Sequence, residues 1–205
     1  MDTLIIIGAS GHGKVVADIA LKIDRYKEIL FLDDDPEAVE CLGFPVIGTS
    51  ADIEQWVKSA EFFVAIGNSQ IREKIMTQLK NYKAQIATLV HPDAMIGTNV
   101  VIGGGSVVMA GVVINPDTVI GNGVILNTCC SVDHDNVIED YCHISVGAHL
   151  AGTVQIGKHT WIGAGATVSN NVSICEAAMV GVGAVVVKNI EERGTYIGVP
   201  ARKKG

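Results

Sequence analysis

From Val90 to Glu191 a branched aliphatic residue recurs at every sixth position, at Val90, Ile96, Ile102, Val108, Ile114 and on without a miss to Val186. Four residues after each of these leads comes a small or β-branched residue in most blocks, as at Ser106, Val112, Thr118, Cys130 and Ala148. One residue after the lead comes a turn-former in many, as at Gly97, Asn115, Gly121, Asn127 and Gly163. Period six fits neither a 3.6-residue helix nor an uninterrupted strand, so it describes short strands separated by turns and stacked in coils, a parallel β-helix. The lead and the small residue are an even number of positions apart, so both point inward. Glycine and asparagine at the corners are expected to supply the dihedrals that β-branched residues resist.

Before Val90 the pattern is different. Leu4-Ile5-Ile6-Ile7 reads as a buried parallel strand and runs straight into Gly8-Ala9-Ser10-Gly11-His12-Gly13-Lys14; Val15 to Ile23 then carries aliphatics at helical spacing. Ile29 to Leu32 predicts a second strand ending in Asp33-Asp34-Asp35. A helix near Ala51 to Ser59, a strand Phe62 to Ile66, the pair Gly67-Asn68, a helix near Gln70 to Lys80 and a short strand near Gln85 to Leu89 follow. This is half of a dinucleotide-binding sheet, whose length suits a nucleotide or nucleotide-sugar better than a dinucleotide, the plain alternative being that the glycines only close a tight turn. A strand, a glycine turn and a helix in that order bring backbone N–H groups and a helix N-terminus to one point, where a phosphate is favoured. The reading gives two domains, an α/β nucleotide-sugar domain over 1–85 and a β-helix over 86–205.

A formal charge of −7 and a pI near 5.3 argue against a nucleic-acid or membrane-surface partner. The five cysteines are odd in number and without CxxC spacing, and Cys130 and Cys142 fall on inward positions, so they read as reduced. The apolar run at Leu4 to Ile7 is too short for a signal sequence or a membrane span, which leads to the expectation of a cytoplasmic protein.

A repeat built for stacking needs no histidines at its turns, which makes Asn127 to Ser145 the informative exception. It holds His134 between Asp133 and Asp135, and His143 nine residues on, both off the inward positions. Imidazole beside carboxylate has the parts of a general base: the ring takes a proton and the acid fixes its tautomer, so His134 with Asp135 is the candidate pair. A rival reading makes His134, His143 and His149 metal ligands; the preferred reading has no metal. At the end of the chain Arg202-Lys203-Lys204 is the densest positive charge and a candidate contact for cofactor phosphates.

Taken together, Gly-Ala-Ser-Gly-His-Gly, Phe-Leu-Asp-Asp, Ala-Ile-Gly-Asn, Ile-Leu-Asn-Thr, Asp-His-Asp, His-Ile-Ser-Val-Gly-Ala, Ala-Gly-Thr-Val and Gly-Val-Pro-Ala resemble one family over nearly the whole chain. It is the sugar O-acyltransferase and N-acetyltransferase family of the sialic acid and bacillosamine pathways, especially its UDP-4-amino-sugar N-acetyltransferases. The resemblance implies a left-handed β-helix, a homotrimer with acetyl-CoA in grooves between neighbouring helices, and a UDP-sugar on the amino-terminal domain. It implies His134 as general base, Asp135 as its orienting acid, His143 near the acetyl thioester and Asn127 near the amino sugar. Gly152, Ala164, Gly181 and Val182 would line the cofactor groove. Ser10, Gly11 and His12 would meet the UDP phosphates, with Asp33, Asp34, Gly67 and Asn68 around uridine and ribose. The implied reaction is transfer of acetyl to the 4-amino group of a UDP-linked 4-amino-4,6-dideoxy sugar. The alternatives are O-acetylation of a sugar hydroxyl, as on sialic acid, and a non-catalytic nucleotide-sugar sensor.

Overall fold

Leu4 to Ile7 are each at most 2% exposed, which explains why the run shows no alternation: both faces of its strand are covered. They belong to β1 (Thr3–Ile7) in a computed structural model that describes all 205 residues and divides into two units, Met1–Pro92 and Asp93–Gly205.

In the first unit β1 is followed by α1 (Gly11–Ile23), β2 (Glu28–Leu32), a hairpin of β3 (Glu40–Cys41) and β4 (Phe44–Pro45), α2 (Ile53–Trp56), β5 (Glu61–Val64), α3 (Ser69–Asn81) and β6 (Gln85–Ile86). The hairpin is absent from the sequence reading because its turn places Leu42 and Gly43 at φ 53° and 78°, and leucine does not announce a left-handed turn. The parallel sheet has the order β2-β1-β5-β6. The chain leaves β1 for β2 on one side and returns for β5 on the other, so the carboxyl ends of β1 and β5 flank a topological switch point, where open α/β sheets hold ligands. Close approach there requires glycine: a Cβ on Gly8 (φ 108°) would sit 2.8 Å from the Ala65 carbonyl oxygen, and one on Gly13 would sit 2.1 Å from that of Gly8.

In the second unit the hexapeptides become two-residue strands separated by turns, and each strand pairs in parallel with the one eighteen residues on, as Val113 with Ser131 and His143 with Trp161. Three faces result. The first carries Met95, Val113, Ser131, His149, Thr167 and Val185 outward, the second Val101, Val119, Val137, Gln155 and Ser173, and the third Val107, Ile125, His143, Trp161 and Met179. Inside lie the leads and the small residues, with Leu126, Val132, Ile138, Cys130 and Cys142 fully buried. Inward polar residues bond to corner carbonyls, as Ser106 does to Gly121 at 2.8 Å and Thr160 to Cys175 at 2.8 Å.

The corners work differently from expectation. The left-handed residue is the third after the lead, whether it is Gly105, Gly123, Asp117, Asp135 or Tyr141. The glycines directly after the leads serve stacking: a Cβ on Gly97 would be 2.7 Å from the Pro116 nitrogen and one on Gly103 2.5 Å from the Gly121 backbone, so they let the next coil approach.

Candidate active site

Along the chain, the corner between the first and second faces carries Asp133, His134 and Asp135. Asp135 holds the left-handed position at φ 58°, a conformation that aspartate tolerates better than most residues, and this turns its carboxylate back on its neighbour. Its Oδ2 lies 2.7 Å from His134 Nδ1. The carboxylate can only accept, so Nδ1 carries the proton and Nε2 is left with its lone pair. The hydrogen bond to Asp135 is the main cause of a His134 pKa above the ordinary imidazole value, and the charges of Asp133 and Asp135 add to it. Asp133 accepts from Asn115 Nδ2 at 2.7 Å and from the His134 backbone N–H at 2.9 Å, which holds its own carboxyl below the usual range.

The support beneath this turn is Asn136, an inward residue with no exposed surface that sequence reasoning missed. Its Nδ2 donates to the carbonyls of Asp133 (2.7 Å), Ala151 (3.0 Å) and His134 (3.2 Å). The available signal was an amide at a repeat position where small or apolar residues are the rule. One coil further on, Gly152 faces the ring: a Cβ there would sit 2.7 Å from His134 Nε2. The missing side chain leaves the lone pair reachable in a cleft of about 430 Å³, whose wall includes Thr153, Asn170 and Asn171.

The other expected groups of this unit gather at the corner between the third and first faces. Asn127 Nδ2 lies 3.2 Å from His143 Nε2, and Asn127 Oδ1 accepts from the Thr128 backbone N–H at 2.8 Å. That second bond orients the amide, so the atom facing the imidazole is a donor, Nε2 accepts, and the proton of neutral His143 sits on Nδ1. Gly181 stacks in the column of Asn127, and Ala164 and Val182 in the column beside it, with Val182 81% exposed. The structure thus joins His134 with Asp135 and Gly152, and Asn127 with His143, at two different corners. His149 stands on the first face with Nδ1 2.8 Å from Ser131 Oγ. No group of three or more His, Cys, Asp or Glu residues within the one chain is placed to hold a metal ion, and the rival set His134, His143 and His149 could meet only across a subunit boundary. Of the terminal cations, Lys203 is paired with Glu192 at 2.7 Å. A larger hollow of about 600 Å³ on the second face, bordered by Glu139, Ser173, Glu176 and Asn189, contains none of the expected residues.

In the amino-terminal unit a cavity of about 240 Å³ at the switch point is lined by Gly8, Ser10, Asp33, Asp34, Ile66 and Gly67 among others. Ser10 precedes α1 without spending its hydroxyl on a cap. Asp33 Oδ2 accepts from the Ala9 N–H at 2.6 Å and its Oδ1 from the Asp35 N–H at 2.9 Å; Asp34 accepts from Ser50. Asn68 lies outside the lining and caps α3, accepting from the N–H groups of Gln70 and Ile71 at 3.0 Å each. Gly11 and His12 are in the first turn of α1 and also outside the lining. Burial, followed by the charge of Arg72, pushes the His12 pKa down to about 4, and its Nε2 is buried without a hydrogen-bond partner. Arg72, 1% exposed, donates from Nη1 to the carbonyls of Ile66 (2.7 Å) and Gly67 (2.9 Å) and so shapes that wall; sequence reasoning missed it too.

Comparison with known proteins adds to this geometry. Residues 3–79 match the model of the PglD N-terminal domain. The chain is 34% identical to the UDP-N-acetylbacillosamine N-acetyltransferase of Bacillus subtilis over 115 residues, covering 54% of this chain and 52% of that protein, about half its length. It is 31% identical to the GDP-perosamine N-acetyltransferase of Escherichia coli O157:H7 over 156 residues, 74% of this chain and 71% of that one. The solved acetyltransferase domain of PglB from Neisseria gonorrhoeae, in complex with acetyl coenzyme A, superposes with a TM-score of 0.96 at 40% identity over 99% of both chains. That likeness carries the left-handed parallel β-helix with it.

Proposed function

The chain belongs to the hexapeptide-repeat family of sugar N-acetyltransferases, and we propose that it moves the acetyl group of acetyl-CoA onto the 4-amino group of a UDP-linked 4-amino-4,6-dideoxy sugar. The observation that carries the proposal is His134, with Nδ1–H held by Asp135 and Nε2 open across the side-chain-free Gly152. The neutral amine attacks the thioester carbon, and Nε2 takes the proton the nitrogen sheds. As charge gathers on the carbonyl oxygen, His143 Nδ1–H is the donor in this reading, its tautomer set by Asn127. The C–S bond then breaks, with CoA leaving as the thiol once His134 returns the proton. A base of this kind is worth roughly 10²- to 10⁴-fold.

On this reading the work is shared by two units. Met1–Pro92 holds the nucleotide, with Ser10, the α1 turn and Asp33, Asp34 and Gly67 around the switch-point cavity. The β-helix holds acetyl-CoA along Gly152, Ala164, Gly181 and Val182. These residues, like His134 and His143, belong to two corners separated by one face. Six residues at about 3.3 Å each make a face up to roughly 20 Å wide, too far for one acetyl group to touch both corners. A closed ring of three copies removes the conflict by setting each third-first corner against the next copy's first-second corner. It also turns the exposed Met95 of the first face inward.

Mass spectrometry after incubation with acetyl-CoA and a panel of UDP- and GDP-linked 4-amino sugars, UDP-N-acetylglucosamine and sialic acid tests the proposal. Acetylation confined to UDP-linked amino sugars is expected. Acetylated sialic acid would replace N-transfer by O-transfer, and a GDP-linked product would correct the nucleotide. The split site has its own check: mixing His134→Ala with His143→Ala chains should restore about a quarter of the wild-type sites in a random trimer. No restoration would place the whole site within one chain.

A further inference from the structure

On the third face Trp161 pairs with His143 in register, one coil further on. Their rings stack, with centroids 5.3 Å apart and planes 11° from parallel. The indole Nε1–H donates to Ser145 Oγ at 2.6 Å. Ser145 occupies the corner position that Asn127 holds one coil earlier, so the two rings are anchored in the same manner: each ring nitrogen meets the corner side chain of the coil before. The indole is nevertheless 45% exposed in the single chain, so packing within that chain does not account for it. What it does contact is one face of the imidazole. Tilting the His143 ring out of its plane would break the stack and lose the Asn127 contact together.

We infer that Trp161 is a positioning residue: fixed by Ser145, it holds the His143 ring with Nε2 on Asn127 and so keeps the proton on Nδ1, the atom that serves the acetyl carbonyl. The role at the carbonyl rests on the proposed acetyl transfer; the hold on the ring does not. A stack of this geometry contributes about 2- to 10-fold in an equilibrium it controls, so a rate effect of that order is expected rather than abolition.

The test joins a tautomer measurement to kinetics. In ¹⁵N-histidine NMR of the ligand-free protein, His143 should be the Nδ1–H form in the wild type. In Trp161→Ala it should move toward the Nε2–H form that free imidazole side chains favour, while kcat for acetyl transfer falls roughly tenfold and the KM for the nucleotide-sugar stays put. Trp161→Phe, which keeps a stacking ring but not the bond to Ser145, should return kcat to within about threefold of wild type. Ser145→Ala should lower kcat less than Trp161→Ala, and it provides the same reading should the alanine variant at 161 fail to fold. An unchanged His143 tautomer in Trp161→Ala or Ser145→Ala would overturn the inference, as would a rise in both KM values at constant kcat, which would mark the indole as a contact surface only. If no variant and no wild type transfers acetyl, the proposed function fails, and the NMR arm still decides whether Trp161 holds the ring.

Discussion

The two units treat their chemistry-bearing side chains in opposite ways. In the β-helix the backbone bonds of each coil are met by the next, and inward polar groups such as Ser106 and Thr160 close the corners from inside. Outward side chains are therefore not needed to close the coil, and the His134 side chain is 57% exposed with Asp135 Oδ2 2.7 Å from its Nδ1. In the α/β unit the conspicuous residues double as braces: Asp33 ties the glycine turn to β2, Asp34 holds Ser50, and Asn68 caps α3. A departure from a self-satisfying repeat points directly at function, whereas a motif at strand ends mixes function with construction.

The largest effect expected from that contrast is at His134. His134→Ala should lower kcat by roughly 10²- to 10⁴-fold with little change in acetyl-CoA binding and none in thermal stability, because the side chain supports nothing else. Equal losses in kcat and in acetyl-CoA affinity would return it to a binding role. Next comes Gly152→Ala. The added methyl would stand 2.7 Å from Nε2, so the ring must turn away; a displacement of about 1 Å at a reacting group costs about 10²-fold. Circular dichroism and melting should be close to wild type, since the exposed His134 ring can swing into solvent to admit the methyl. A fully active variant would show that the base does not work from this rotamer.

In the other unit the sign of the comparison reverses. Asn68→Ala removes the acceptor of two N–H groups at the start of α3 and should cost about 1 kcal/mol of stability, read as a lowered urea midpoint at constant slope. Its KM for the nucleotide-sugar should change less than that of Ser10→Ala, whose hydroxyl caps nothing. A larger KM effect at Asn68 than at Ser10 would restore Asn68 to the substrate site.

How much of this was legible follows from the same division. Period six gave the coils and the inward set because each lead has one fate, and His134 with Asp135 stood out as a pair the repeat does not require. Asn136 stayed hidden, since its value lies in three carbonyls brought together by two coils, which no local spacing reveals. The corner glycines misled in one respect: the tight positions after the leads are tight because of the next coil, eighteen residues away, while the left-handed positions accept Tyr141 and Cys129 as readily as glycine. Nothing in the sequence sets Arg72 apart within its helix; only the fold shows its guanidinium closing on Ile66 and Gly67.

The smallest effect is also the cleanest electrostatic one. Asp133→Asn keeps an oxygen for the His134 N–H and for Asn115 Nδ2, so the turn should be unchanged, but it removes a negative charge beside the imidazole. As a base His134 works when neutral. Its folded pKa lies above the ordinary value, chiefly through Asp135 and in lesser part through Asp133, so the rising limb of kcat against pH should lie above about 6.5 in the wild type. Losing the charge makes the imidazolium less favourable, lowers that pKa and moves the limb toward acid, with the plateau at higher pH nearly unaltered. Asp135 remains to set the tautomer, so a collapse of the plateau would mean that Asp133 orients the ring as well. A limb that moves toward alkali contradicts the sign, and with it the assignment of that limb to His134.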